Sequence, residues 1–422
     1  MLKVDLCVYD SPTAVGGPYV WVQRMPLEWR KRGIDVRIKL FHWSDLEAGV
    51  LFQFLRRSGF QLEACLFTES KSNVRWLLES VSRNPPDLFI ADNVIPGLLS
   101  GRYLRNAGIP TIGILRSDEP FYYGIIDRFV AGKKQDRLSA VVGVSQLLSD
   151  LVTEKGRGEV ISRTIPSGTP IPDRRAAAPE QILKLVYVGR LDVEQKRIID
   201  TVKALIRVVT EVPNVTVTLF GDGSDRSEVE RLIRPHSANI LLAGNVRSAE
   251  LTERLLESHV IVLLSEYEGT PTAVMEAMAC GVVPVCSRIR SGVPELVLDQ
   301  ETGLLVGDRD NEFVTAITRI RTESGLWEKL SNGARSRAEA HFSTEICASR
   351  WTELIEGLTS RNGGVKRIVV PRRLMIARPH HGYAHQDRRS PSVAARVNTI
   401  AISIYRKARI FLGRLRRKLS RA

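Results

Sequence analysis

Two acidic residues, Glu268 and Glu276, are separated by seven residues in the run Glu268-Gly269-Thr-Pro-Thr272-Ala273-Val-Met-Glu276-Ala-Met-Ala-Cys-Gly281. The run follows an apolar, strand-like stretch. Pro271–Thr272 predicts a helix start, because proline is pre-organised for the first helical turn. The backbone N–H groups of Thr272 and Ala273 are then free and form an anion site. Glu268, in the preceding loop, suits a ligand with several hydroxyls. Glu276, more than a turn into the helix, suits a second diol such as a ribose. A capped core helix with two solvated acids has the same spacing. In a second segment, Tyr187-Val-Gly189-Arg190-Leu-Asp-Val-Glu-Gln-Lys196-Arg197, a strand ends in glycine. Arg190 and Lys196 follow it across a loop. Glycine permits close backbone approach, and the two cations suit a phosphate or diphosphate. Ordinary surface charge reads the same way. In a third segment, Gly16 and Gly17 lie between the first strand and first helix, where backbone amides can meet a phosphate. Plain turn chemistry is the alternative there, as it is for Gly221-Asp222-Gly223.

These segments need elements to hold them. Apolar runs predict strands at Val4–Tyr9, Val36–Leu40, Leu88–Ala91, Thr111–Leu115 and Val141–Val144, and a second series at Leu185–Val188, Val215–Phe220, Ile240–Leu242, Val260–Leu264, Val282–Val285 and Leu304–Val306. Amphipathic helices such as Tyr19–Arg32, Ile199–Thr210 and Ser248–Leu256 lie between them. Alternating strands and helices imply parallel sheets covered on both faces. The alternation breaks near residues 166–181, a Pro- and Ala-rich linker. The expected domains are residues 1–170 and 182–342, both Rossmann-like. A closing helix follows at 343–360 and a basic tail at 361–422, with an amphipathic helix near 393–420. Ligands bind beyond the carboxyl ends of such strands, so the cleft between the two domains is the expected site.

The chain has 422 residues and a formal net charge of +14. Residues 361–422 hold 17 Lys and Arg against one acid, Asp387, leaving 44 basic and 46 acidic residues elsewhere. The body is therefore nearly neutral, and the high pI does not by itself indicate nucleic-acid binding. Apolar residues make up 43%, which excludes a disordered or multi-span membrane chain. The five scattered cysteines include no C-x-x-C pair, which argues against a disulfide framework and suits a reducing cytoplasm. The N-terminus enters a strand directly, so no leader peptide is expected.

In combination the motifs are more specific. Residues 1–358 resemble the GT-B glycosyltransferases, specifically the retaining family 4 (glycosyl transferases group 1). The resemblance rests on Val-Gly189-Arg190-Leu, Gln-Lys196-Arg, Phe-Gly221-Asp-Gly223, the Glu268 to Gly281 run with Val-Val-Pro284-Val, Gly292-Val-Pro-Glu295-Leu-Val and Thr302-Gly303-Leu-Leu-Val. It implies two Rossmann-like domains facing across a cleft and a nucleotide-diphosphate sugar as donor. Arg190 and Lys196 would then grip the diphosphate together with Gly16, Gly17, Gly189 and the amides of Thr272 and Ala273. Glu276 would bind the ribose, Glu268 with Gly269 the donor sugar, and Asn245–Val246 the base. Glu268, Arg190 and Lys196 are the expected catalytic set. The resemblance implies no metal and no cofactor, and the one D-x-D, Asp308-Arg-Asp310, reads as an acidic turn. Where family members often carry a histidine on the acceptor side, this chain has Arg116, followed by Asp118. An Arg there suits an anionic acceptor, with Asp118 as proton acceptor; a structural Arg116–Asp118 pair is the alternative.

Residues 361–392 read as disordered, with His380, His381 and His385 as linker composition. From Val393 onward, apolar residues recur every three or four positions among basic ones, which suits an anionic membrane surface; docking on the body or a partner, and nucleic-acid binding, are the alternatives. Together these features predict a cytoplasmic glycosyltransferase, peripheral at the inner membrane face, acting on a glycan or lipid-linked acceptor. A nucleotide-sugar epimerase on the same fold and a non-catalytic membrane-associated binding protein are the competing readings.

Overall fold

The computed structural model describes residues 1–11, 16–360 and 367–389. Two parallel sheets carry the fold. The first contains β1 (Leu2–Asp10), β2 (Ile34–His42), β3 (Gln61–Leu66), β4 (Leu88–Ala91), β5 (Thr111–Leu115), β6 (Ala140–Gly143) and β7 (Ile161–Thr164), in the order β3-β2-β1-β4-β5-β6-β7. The second contains β8 (Leu183–Val188), β9 (Val215–Phe220), β10 (Ile240–Gly244), β11 (Val260–Leu263), β12 (Val283–Ser287) and β13 (Leu304–Val306), in the order β10-β9-β8-β11-β12-β13. The central strands are wholly buried, as in β4, β6 and β11. Strands covered by helices on both faces must be apolar throughout, which is why they read as continuous apolar runs.

Two strands were not evident in the sequence. β3 is half-exposed and carries Glu63, and β7 is a four-residue edge strand reading Ile-Ser-Arg-Thr. Edge strands need no apolar run on both faces, so their sequence signal is weak.

Strand order reverses between β1 and β4 in one sheet and between β8 and β11 in the other. Clefts open at such switch points. The three candidate segments lie there: Gly16–Gly17 after β1, Gly189–Lys196 after β8 and Glu268 after β11.

The last long helix, Thr344–Thr359, leaves the second domain and packs on the first. Its Trp351 lies 5.5 Å from both Trp21 and Trp29 of the helix Gly17–Lys31. Aromatic clusters of this kind dominate local core energetics.

Residues 367–389 correct an expectation. They are ordered and docked on the first domain, with Ile368, Leu374, Ala377 and Tyr383 buried in its core. Gln386 Oε1 accepts the Ile95 amide at 3.1 Å, and the Arg388 carbonyl accepts the Ser70 amide at 2.6 Å. Both are first-turn N–H groups that a helix cannot satisfy itself. His380 Nε2 lies 3.2 Å from Asp127 Oδ2 and stacks on His381. The apolar residues of this strap have no regular period, so nothing local announces their burial. The amphipathic pattern at 393–420 lies outside the described residues. No helix among the described residues is long and apolar enough to cross a membrane.

Candidate active site

The carboxyl ends of β8, β9 and β10 meet with little room to spare. The Gly189 amide donates to the Phe220 carbonyl at 3.0 Å, and the Gly221 amide donates to the Gly244 carbonyl at 2.8 Å. Gly221 has φ +147°, and a Cβ there would lie 1.9 Å from the Gly189 carbonyl oxygen. Only glycine fits both the conformation and the space.

From this edge the Arg190–Lys196 loop turns back. Asp192 Oδ1 accepts the amides of Gln195 and Lys196, at 2.8 and 3.2 Å, and so fixes the turn. Lys196 Nζ then reaches Glu268 Oε1 at 2.6 Å. Gln195 Nε2 donates to the Tyr267 carbonyl at 3.2 Å and touches Glu268 Oε2 at 3.5 Å. Arg190 donates to Gln195 Oε1. Arg190 also lies 3.6 Å from Asp192 Oδ2, and its side chain stays 55% exposed while Glu268 is buried, so Arg190 is the more accessible of the two cations.

The helix Thr272–Ala279 begins after Pro271. The first amides with acceptors are those of Val274 and Met275, both bonded to the Pro271 carbonyl. The amides of Thr272 and Ala273 make no hydrogen bond among the described residues, as the first turn requires. Gly17, in the first domain, faces them: a Cβ on Gly17 would lie 2.5 Å from Thr272 Oγ1. The glycine loop and the helix N-terminus thus meet directly across the domain boundary.

Glu276, on the same helix, pairs with Arg24 of the first domain at 2.5 Å, and the two side chains are 11% and 19% exposed. Burial pushes the Glu276 carboxyl above its usual range, with Arg24 opposing. Arg24 was not anticipated. The two residues are 252 positions apart, and no local pattern links them.

Other contacts hold the two domains together around this meeting point. Thr270 Oγ1 donates to the Val144 carbonyl at 2.5 Å. Glu295 accepts the amides of Gln146 and Leu147, at 2.7 and 3.2 Å, and so caps the helix Gln146–Gly156 from the opposite domain. That position favours a carboxylate through the helix dipole.

Arg116 and Asp118 do not pair with each other. Arg116 makes a two-pronged pair with Asp92, both contacts 2.7 Å, and its guanidinium lies 4.4 Å from the Trp21 ring centroid. Arg116 is 8% exposed and Asp92 3%. Asp118 instead meets Arg290 of the second domain, at 3.0 and 3.1 Å, and receives the Tyr123 hydroxyl. Arg116 is therefore spent on Asp92 and offers no free charge to an anionic acceptor. Asp118 is likewise held in a pair, with Arg290.

Asn245 and Val246 follow β10 and line a cavity of about 530 Å³ with Thr218, Phe220 and Ala243. That lining includes none of Arg190, Lys196, Glu268 or Glu276. Asp308 Oδ1 accepts the amides of Asp310 and Glu312, and Asp310 pairs with Arg207. The D-x-D thus caps the helix Asn311–Thr322.

Residues 183–323 match the family model described as Glycosyl transferases group 1. An exopolysaccharide phosphotransferase of Streptomyces coelicolor is 26% identical over 274 residues, 64% of this chain and 28% of that protein. The N-acetyl-alpha-D-glucosaminyl L-malate synthase of Bacillus anthracis is 32% identical over 160 residues, 37% of this chain and 41% of that protein. The chain thus spans less than half the length of both curated relatives. HepE of Anabaena, solved in complex with UDP, superposes with a TM-score of 0.68 at 18% identity, covering 85% of this chain and all of that one. The chain therefore has the GT-B fold, and its second domain carries the match to glycosyl transferases group 1.

Proposed function

We propose that the protein is a retaining glycosyltransferase that moves a sugar from a nucleotide-diphosphate sugar to a glycan or glycolipid. One juxtaposition carries this reading. The Lys196–Glu268 pair and the unsatisfied amides of Thr272 and Ala273 converge opposite Gly17 at the switch points of both sheets. Free amides and paired charges gathered at one switch point suit a diphosphate flanked by hydroxyl-bearing groups. HepE, which shares the fold, binds UDP.

In this reading Arg190, Lys196 and the helix amides take up the charge that grows on the diphosphate as the sugar leaves. Glu268 accepts hydrogen bonds from donor-sugar hydroxyls, and its pairing with Lys196 keeps both side chains beside the reacting carbon. Glu276 accepts the ribose hydroxyls, for which it must share or surrender Arg24. The acceptor oxygen attacks from the face that the phosphate vacates. Its bond to the sugar forms as the sugar–phosphate bond breaks, and its proton passes to the departing phosphate oxygen. Every charge in this scheme is met by a side chain or amide of the chain itself, so it calls for no metal or cofactor. The five unpaired cysteines, four of them buried, fit a reducing compartment where nucleotide sugars would be at hand. The basic pattern beyond residue 390 would hold the enzyme at an anionic membrane surface.

Thermal unfolding with UDP, GDP, ADP and dTDP, free and as sugar conjugates, tests the reading. A ligand at about 100 times its Kd stabilises by about 2.7 kcal/mol. One nucleotide should shift the transition selectively, and Lys196→Ala should remove the shift and lower transfer by a hundredfold or more. Proton NMR of the product should show the donor's anomeric configuration. No shift from any nucleotide, or an inverted product, would refute it.

A further inference from the structure

The strap at residues 367–389 forms a layer of its own on the first domain. On the way out it crosses three helices in turn. Arg75 of the helix Ser70–Arg83 donates to the carbonyls of Pro371 and Arg372, at 3.1 and 2.7 Å. The Tyr103 hydroxyl, on the helix Ile95–Asn106, donates to the Met375 carbonyl at 2.9 Å and accepts its amide at 2.7 Å. Arg128 of the helix Pro120–Phe129 donates to the Pro379 carbonyl at 3.1 Å. The chain then turns back to the first-turn amides of Ile95 and Ser70. Arg389 donates to the Ala377 carbonyl at 2.5 Å and so ties the two arms together. Arg388 lies 4.6 Å from the Trp43 ring centroid, just past the carboxyl end of β2. The returning arm thus reaches the side of the first sheet on which the cleft opens.

A layer pinned to three helices has one buried side and one open side. Ile368, Leu374, Ala377 and Tyr383 fill the buried side. Arg367, Val369, Arg372, Arg373, Met375 and Arg378 are exposed on the other. These four arginine side chains make no hydrogen bond or ion pair among the described residues. The strap's one acid, Asp387, is buried and pairs with Arg389 at 2.8 Å, so it neutralises none of them. Val369 and Met375 are 68% and 63% exposed, and among the large apolar residues described only Met1 is more so.

We propose that this face is a contact surface for an anionic membrane. Guanidinium groups fork onto phosphate oxygens, as lipid headgroups present them. Val369 and Met375 would enter the boundary between headgroups and acyl chains, where an apolar side chain leaves water while its basic neighbours stay at the phosphates. Nucleic acid would instead reward aromatic side chains on which bases stack, and Tyr383, the strap's one Phe, Tyr or Trp, is buried. The surface consists of the docked strap and is distinct from the amphipathic pattern that begins at Val393. It goes beyond sugar transfer and does not depend on it. Where both hold, lipid meets the first domain on a face that borders the cleft, which suits a lipid-linked acceptor.

The test uses the full chain, without nucleotide sugar, and sedimentation with two kinds of vesicle. One is phosphatidylglycerol and phosphatidylcholine in equal parts, the other phosphatidylcholine alone. Wild-type protein should bind the first and not the second. Arg372→Gln, Arg373→Gln and Arg378→Gln combined should weaken binding about a hundredfold at low salt, or about fivefold for each arginine. Val369→Ser with Met375→Ser should weaken it about tenfold at low and high salt alike, because apolar burial is not screened. The serine variant should bind double-stranded DNA as wild type does. Unfolding midpoints should not move, since all five side chains are exposed. Wild-type protein that binds neither vesicle overturns the proposal. So do strap variants that bind as wild type does, which would assign the binding to the tail. Full vesicle binding by the serine variant, with equal loss of vesicles and DNA in the glutamine variant, overturns it in favour of a general polyanion surface. A chain that binds vesicles through the strap but shows no thermal shift with any nucleotide refutes the transferase reading alone.

Discussion

The two domains share an architecture but use their charges differently. In the first, Arg37 and Asp5 pair at 2.6 Å within the sheet, Lys39 reaches Glu63 at 2.5 Å, and Arg116 clasps Asp92. Arg37, Lys39 and Arg116 are each under 10% exposed, and a buried pair of this kind holds neighbouring strands in place rather than meeting a ligand. In the second domain, Arg190 stands half-exposed, and Lys196 and Glu268 pair at the lip of the cleft. Arg190 thus keeps its charge near solvent, where a ligand can compete for it, while Lys196 and Glu268 are 13% and 7% exposed. A buried pair is costly to break and adds little once formed, whereas an exposed cation such as Arg190 can change partners cheaply. One domain spends its ions on the fold, and the other offers them to the site.

Breaking Arg116–Asp92 is the strongest test of that contrast. Arg116→Met should cost about 3–5 kcal/mol, because Asp92 is left charged and buried. Arg116→Met with Asp92→Leu should recover most of it, since an apolar pair of similar volume replaces the ions. Urea unfolding followed by tryptophan fluorescence reads this domain well: Trp21, Trp29, Trp43, Trp76 and Trp351 belong to it, and only Trp327 to the other. If the single and double variants unfold alike, the pair is not structural in the sense argued.

The second domain has a buried titrating group of its own. His259 is 8% exposed, and its Nδ1 accepts the Lys184 amide at 3.0 Å. Protonation would set one N–H against another. Burial, with Lys184 nearby, lowers its pKa to about 4. An unfolded histidine titrates near 6.5, so the folded state resists protonation. Stability is then complete above about pH 6.5 and falls as pH drops toward 4, by up to about 3 kcal/mol. Thermal unfolding from pH 7 to pH 4 should show this slope, and His259→Gln should flatten it. An unchanged slope in the variant would assign the loss to other groups.

The smallest effect is expected between the domains. Arg290 is 71% exposed where it meets Asp118. Arg290→Ala should cost less than about 1 kcal/mol, the range of exposed pairs. A loss above about 2 kcal/mol in urea unfolding would mean that this contact holds the domains closed and is more than a surface pair.

The elements that carry the donor-side motifs were legible in the sequence because each is local. Gly189, Arg190 and Lys196 lie on one strand–loop turn, and Glu268 to Glu276 on the next loop and helix. Glycine at a crowded strand end and proline before a free helix N-terminus leave marks within a few residues. The charge pairs of the first domain were less legible. A pair of Arg116 with Asp118, two positions away, was the alternative reading, whereas its partner Asp92 is 24 positions away, just past the neighbouring strand β4. The strap was read as disordered because its apolar residues follow no helix or strand period. They are buried only because a finished domain offers them a surface, as Tyr383 shows at 0% exposure.

By itself, then, the sequence determined the alternation of strands and helices, the break between the domains, and the motifs at the carboxyl ends of β8 and β11. Each follows from propensity, periodicity or turn chemistry acting over a short stretch. Only the tertiary structure decided which charges neutralise one another. Arg24 with Glu276, Asp118 with Arg290, and Glu295 with the helix at Gln146 all join residues of different domains. An ion pair depends on distance in space, which the order of residues does not record until the sheets and their connections have placed both partners.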